Sequence, residues 1–159
     1  MTQQINPLSA LEIHALHEAL EDEYRAWATY DQVIADFGDV RPFNNIRNAE
    51  ARHIEALRVL FARYALPAPA NTWPGRVARY ASLQAACEAG VAGEIENGAL
   101  YERLLASTQR PDILRVFRHL QDASQQRHLP AFRRCVERGA QGADGGARRR
   151  WRWGRGSRR

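Results

Sequence analysis

Glu50-Ala51-Arg52-His53 stands inside a run of apolar residues at helical spacing, with Phe43, Ile46, Ile54 and Leu57 seven and four residues to either side of Glu50. On an α-helix, residues three apart share a face, so Glu50 and His53 can bind a common metal or bridge two neighbouring ones. Working outward, the same chemistry recurs: Glu23 upstream, Glu94 downstream, then Gln125-Gln126-Arg127-His128. Single carboxylates from two other helices would complete a cage, and the set reads as a two-metal site inside a four-helix bundle. The order is also an internal repeat. Glu23 is followed seven residues on by Tyr30, and Glu94 at the same offset by Tyr101. Each half therefore reads as one helical hairpin.

The periodicity around these residues places four helices. Ser9-Ala10-Leu11-Glu12 has the form of a capping box, and Leu16, Leu20, Trp27, Tyr30, Ile34 and Phe37 follow at helical spacing up to Gly38. Pro42 suits the first turn of a second helix carrying Phe43, Ile46, Ile54, Leu57, Leu60, Phe61 and Tyr64, which Pro67 and Pro69 end. A loop from Pro67 to Tyr80 leads to a third helix from about Ser82 to about Ser107. The fourth starts at Pro111 and continues to about Arg138, with a kink expected at Pro130. A helix of about 24 residues is roughly 36 Å long, and about 14 extended residues reach roughly 46 Å. The loop can therefore run the length of the bundle as a crossover.

Position argues for a site. Glu23 lies between Leu16, Leu20, Trp27 and Tyr30; Glu94 between Cys87, Gly90, Gly98 and Tyr101; His128 among Ser124, Ala131, Phe132 and Cys135. Unpaired buried carboxylates cost several kcal/mol each, so several on inward faces call for compensating cations. Two divalent metals would supply them, and a buried hydrogen-bond network is the alternative. Tyr30 and Tyr101 are placed to hydrogen-bond ligands from a neighbouring helix, or to serve as core aromatics.

The 159 residues amount to one domain, and two cysteines with no Cys-x-x-Cys pair exclude a rubredoxin-type or zinc-ribbon module. No stretch approaches the roughly 20 apolar residues that cross a bilayer, and the N-terminus has no basic start followed by an apolar run. The expectation is a cytoplasmic protein with reduced thiols and no membrane partner. The net charge of +5 is uneven: residues 139–159 hold seven arginines against Asp144, while 1–138 carry 16 arginines and 17 acids. Residues 1–138 thus read as the bundle. Residues 139–159, rich in Gly and Arg with Trp151 and Trp153, read as a disordered basic tail. Arginine interleaved with tryptophan can contact nucleic acid or another anionic partner.

The pattern resembles the ferritin-like superfamily, and within it the rubrerythrin-type domains and an uncharacterised ferritin-like family of bacteria and archaea. Ala92-Gly93-Glu94 with Tyr101 is similar to the third-helix motif of rubrerythrins, and Glu23 with Tyr30 to their first helix. A single long crossover between helices two and three is also what ferritin-like bundles have. Over residues 9–138 the resemblance implies an all-α ferritin-like four-helix bundle with metal ligands Glu23, Glu50, His53, Glu94 and His128. It implies two iron ions, and manganese suits the same ligands. The activity implied is that of a rubrerythrin-like peroxidase or a ferroxidase. Its partners would be oxygen, peroxide or ferrous iron, with an external reductant if a peroxidase and pairing into a homodimer. Two positions depart from the pattern. Gln125 stands where the fourth helix usually has glutamate, leaving it a weaker candidate ligand, and Asn97 replaces a second third-helix glutamate; exposed or not, Asp122 is one turn away. These neutral amides favour a second expectation, a metal-poor bundle serving as an interaction module. Cys87 and Cys135 lie seven residues from Glu94 and His128 in directions that bring the thiols to one height. That permits a redox role or two small buried apolar side chains.

Overall fold

The computed structural model describes residues 6–150. Among these the regular elements are all helices: α1 (Ala10–Phe37), α2 (Phe43–Arg63), α3 (Leu83–Leu105), α4 (Pro111–Ala123) and α5 (Leu129–Arg150), with a π-helical turn, Ser124–His128, joining α4 to α5. Counting α4, the π-turn and α5 as one long helix, the architecture is a four-helix bundle. α1 packs chiefly on α2, and α3 on α4 and α5, so each half of the sequence repeat is a hairpin. The connection between α2 and α3, residues 64–82, is the long crossover.

Local chemistry sets the helix ends. The Glu12 N–H donates to Ser9 Oγ at 3.2 Å and the Ser9 N–H to Glu12 Oε2 at 2.9 Å, closing the capping box. Glu12 Oε1 then accepts from Thr108 Oγ1 (2.7 Å) and Arg110 Nε (2.9 Å), tying the start of α1 to the turn before α4. Glu12→Ala is expected to lower stability by about 1–3 kcal/mol, because it removes the side-chain half of the capping box and the charge-assisted bonds to Thr108 and Arg110, while the Ser9 cap on the backbone N–H remains. A urea titration of the variant checks this, and an unchanged midpoint refutes it. At the other end of α1, Gly38 adopts φ +94°, a conformation that side chains rarely take.

Two apolar clusters fill the bundle. One joins Leu16, Leu20, Leu57, Phe61, Tyr101, Phe117 and Leu120, and the other Tyr30, Phe43, Ile46, Cys87, Phe132 and Cys135. The chain order puts Glu23, Glu50, Glu94 and His128 at the level between them. Trp27, expected in the α1 seam, is half-buried; Tyr24 and Val33 fill that stripe instead.

The fourth helix departs from a simple proline kink. Pro130 has no N–H and its ring would collide with the carbonyl four residues back, so an unbroken α-helix cannot run through it. The chain widens just before it: the Leu129 N–H reaches back five residues to Ser124 O, the bond of a π-turn. Beyond Pro130 the helix continues past the boundary expected at Arg138, to Arg150, although Gly139, Gly142, Gly145 and Gly146 in this stretch are poor helix formers. Trp151, Trp153 and the rest of the tail at 151–159 lie outside the described residues. No helix among the described residues is long and apolar enough to cross a membrane.

The cysteines correct an expectation. Cys87 and Cys135 are buried, but they are joined by a disulfide rather than held as reduced thiols. Facing positions on α3 and α5 bring their Cα atoms to 5.9 Å, inside the range a disulfide spans.

Candidate metal centre

Each helix delivers its polar residues to one level because that level interrupts its apolar stripe. Glu23 from α1, Glu50 and His53 from α2, Glu94 from α3 and His128 from the π-turn are all nearly inaccessible to solvent. They form two donor groups, Glu23/Glu50/His53 and Glu50/Glu94/His128, and in each the ligand atoms lie within 4.8 Å of one another. Glu50 belongs to both. Its Oε2 lies 2.8 Å from His53 Nδ1, and its Oε1 lies 3.2 Å from His128 Nδ1. The two imidazoles stack with centroids 5.6 Å apart, so the groups are neighbours across one shared carboxylate.

The tyrosines complete a near-symmetric arrangement. The Tyr30 hydroxyl of α1 donates to Glu94 Oε1 of α3 at 2.8 Å, and the Tyr101 hydroxyl of α3 donates to Glu23 Oε1 of α1 at 2.6 Å. Each hairpin thus supplies the hydroxyl that orients the other hairpin's carboxylate. Sequence reasoning missed Ser124, whose Oγ donates to Glu94 Oε2 at 2.6 Å. Its signal was its place four residues before His128, on the same face. Gln125 does not join the donors: its Nε2 bonds the Glu94 carbonyl (2.6 Å) and Ser124 Oγ (2.9 Å). Gly98 makes room for it, since a Cβ there would fall 2.6 Å from the Gln125 amide. Asn97 donates to Asp22 at 2.8 Å, away from the centre, and Asp122 is exposed.

Burial and charge oppose each other at these groups. Burial alone would lower the His53 pKa, but hydrogen bonds to Glu23 and Glu50 push it up to about 10. Burial acts the same way on His128, and Glu50 and Glu94 push it up to about 9. Burial and the Glu50 charge hold the Glu23 carboxyl well above the usual carboxylate range. Burial would also raise Glu50, but the facing imidazoles, His128 first and then His53, outweigh it and hold that carboxyl well below the range.

The donor set fits a metal pair. Carboxylate and imidazole are the ligands that iron and manganese accept, and three carboxylates offset most of the charge of two divalent ions. His128 Nδ1 is a further sign: it is buried, 3.2 Å from Glu50 and 3.5 Å from Glu94, yet in hydrogen-bond geometry with neither. Such an atom has paid for desolvation without a partner, and a cation between the carboxylates would supply one.

Access comes from the crossover. Trp73 Nε1 donates to Glu21 at 2.9 Å and the Tyr24 hydroxyl to Pro69 O at 3.0 Å, strapping the loop along α1. Beneath it lies a cavity of about 330 Å³ that runs from exposed Arg25 and Arg76 past Ala89 to Tyr30, Glu50 and Glu94.

A family profile described as an uncharacterized protein domain, DUF2202, matches residues 12–145. The fold is similar to that of a solved structure, a hypothetical protein from Methanococcus jannaschii DSM 2661, with a TM-score of 0.77 and 23% identity over 88% of this chain and 87% of that one. No curated protein matches the chain.

Proposed function

This chain belongs to the DUF2202 family, and from the centre it carries we propose that it is a ferritin-like, rubrerythrin-like protein of the cytoplasm that holds two iron or manganese ions and works as an oxidoreductase. The observation that supports this most is Glu50, one carboxylate whose two oxygens face the two histidines of two donor groups. Glu23, Glu50 and His53 would hold one ion, and Glu50, Glu94 and His128 the other. Such a pair would supply two electrons, the number that reduction of a peroxide to water takes, or would pass electrons from ferrous iron to an oxidant as in a ferroxidase.

This chain's residues prepare the site for either use. Tyr30 and Tyr101 orient Glu94 and Glu23, and Ser124 fixes the second oxygen of Glu94. The apolar clusters on both sides exclude bulk water, which strengthens every charge interaction inside. The cavity under the crossover admits a molecule of the size of oxygen or peroxide. For peroxide reduction an external reductant is required; iron oxidation needs only ferrous iron and an oxidant.

The test is metal content by elemental analysis after loading with ferrous or manganous ion, followed by peroxide consumption. About two ions per chain and peroxide turnover are expected. His53→Ala removes a ligand from one group only and is expected to retain about one ion. A chain that binds no metal specifically sinks this reading.

One observation favours the second reading, a metal-poor interaction module. His53 Nδ1 lies 2.8 Å from Glu50 and 3.2 Å from Glu23, so half of the centre closes on itself as charge-assisted hydrogen bonds. In that reading the basic tail contacts nucleic acid or another anionic partner, and removing residues 139–159 abolishes the binding.

A further inference from the structure

The disulfide is the other redox-capable group of the molecule, and it stands beside the centre rather than at a remote staple point. Cys87 precedes Glu94 by two helical turns on α3, and Cys135 follows His128 by two turns, an offset of about 10 Å along the bundle. The space between is packed with aromatic side chains. Phe132 lies one turn before Cys135 and presses its ring on Gly90, one turn after Cys87; a Cβ on Gly90 would fall 2.6 Å from that ring. Phe132 in turn packs on Tyr30 (centroids 5.3 Å apart) and Phe43 (5.2 Å), and the Tyr30 hydroxyl holds Glu94 at 2.8 Å. Phe132, Tyr30 and Phe43 belong to one buried cluster with both cysteines.

We propose that Cys87 and Cys135 cycle between dithiol and disulfide and form the two-electron store for hydroperoxide reduction at the neighbouring centre. The inference rests on the peroxide branch of the function proposed above and names its reductant. In the net reaction the peroxide O–O bond breaks and the S–S bond forms. Two sulfurs are oxidised and two oxygens reduced, and both thiol protons end on oxygen. The products are the disulfide with water and an alcohol, or with two waters from hydrogen peroxide. A small external dithiol then reopens the bond by thiol–disulfide exchange. Of the two cysteines, Cys135 is the less deeply buried, at 6% exposure against 1% for Cys87.

The experiment counts thiols. The full chain is reduced with a small dithiol, freed of it, and loaded with manganous ion. Hydrogen peroxide is added in one equivalent, and the reaction is acid-quenched, alkylated and read by intact mass, with peroxide measured in parallel. Both thiols are expected to disappear at least about tenfold faster in the loaded protein than in the metal-free protein, in step with the peroxide. Circular dichroism should show the bundle still folded when the bond is open. Cys87→Ser and Cys135→Ser are expected to bind manganese as the parent does. Equal rates with and without metal overturn the proposal, as does a disulfide that opens only on unfolding, which marks a structural staple. Thiols that persist while peroxide is consumed refute the store and leave the metal reading standing. A chain that binds no manganese refutes both.

Discussion

Glu50→Ala is expected to empty both metal positions together, taking the chain from about two ions to essentially none after desalting. The reason is geometric. Every other candidate ligand serves one donor group, whereas the Glu50 oxygens face His53 at 2.8 Å and His128 at 3.2 Å. The metal-free variant should also be less stable, because both buried imidazoles lose a carboxylate that offsets their charge. Removing one partner of a buried charge pair costs about 3–5 kcal/mol, an upper bound here because each imidazole can shed its proton and keeps a second carboxylate nearby. Elemental analysis reads the first effect and urea denaturation of metal-stripped protein the second. A Glu50→Ala protein that keeps its full complement would show that Glu50 is not shared.

Metal affinity should climb steeply with pH while the stability of metal-free protein falls. His53 and His128 are pushed up to about 10 and about 9 from the ordinary 6.5. A group whose pKa is raised by folding stabilises the fold fully below its unfolded value and loses that contribution as pH passes through the folded value. The urea midpoint of stripped protein is therefore expected to decline between about pH 6.5 and 10. Glu50, held low, acts with the opposite sign and only in acid, where its contribution is lost as pH falls. A metal must displace the imidazole protons. With two released, affinity rises by up to about 100-fold per pH unit until about pH 9. Competition against a chelator of known pH dependence measures the slope. A flat profile would mean that neither histidine is a ligand.

The five candidate ligands were legible because each interrupts an apolar stripe, and a carboxylate or imidazole at such a position must be buried with its neighbours. The hairpin halves were legible from the offset shared by Glu23 with Tyr30 and Glu94 with Tyr101. Ser124 was not, since its place one turn before His128 marks its face but not its role until the carboxylate it meets is known. Pro130 announced a disturbance in the last helix but not its form; the widened turn depends on how Ser124 and His128 seat against α3. Gln125 read as a weak ligand from its place in the motif, yet the gap at Gly98 turns its amide toward backbone.

Periodicity and caps by themselves determined that this chain forms helices, where most of them start and stop, and which face of each is buried, because these depend on neighbours within a turn or two. Tertiary structure alone decided that Glu50 is shared between two donor groups, that each tyrosine crosses to the other hairpin's glutamate, and that Cys87 meets Cys135. Those outcomes depend on the rotation and height of one helix against another. A shift of one residue, about 1.5 Å of rise and 100° of rotation, would undo them while leaving every local signal intact.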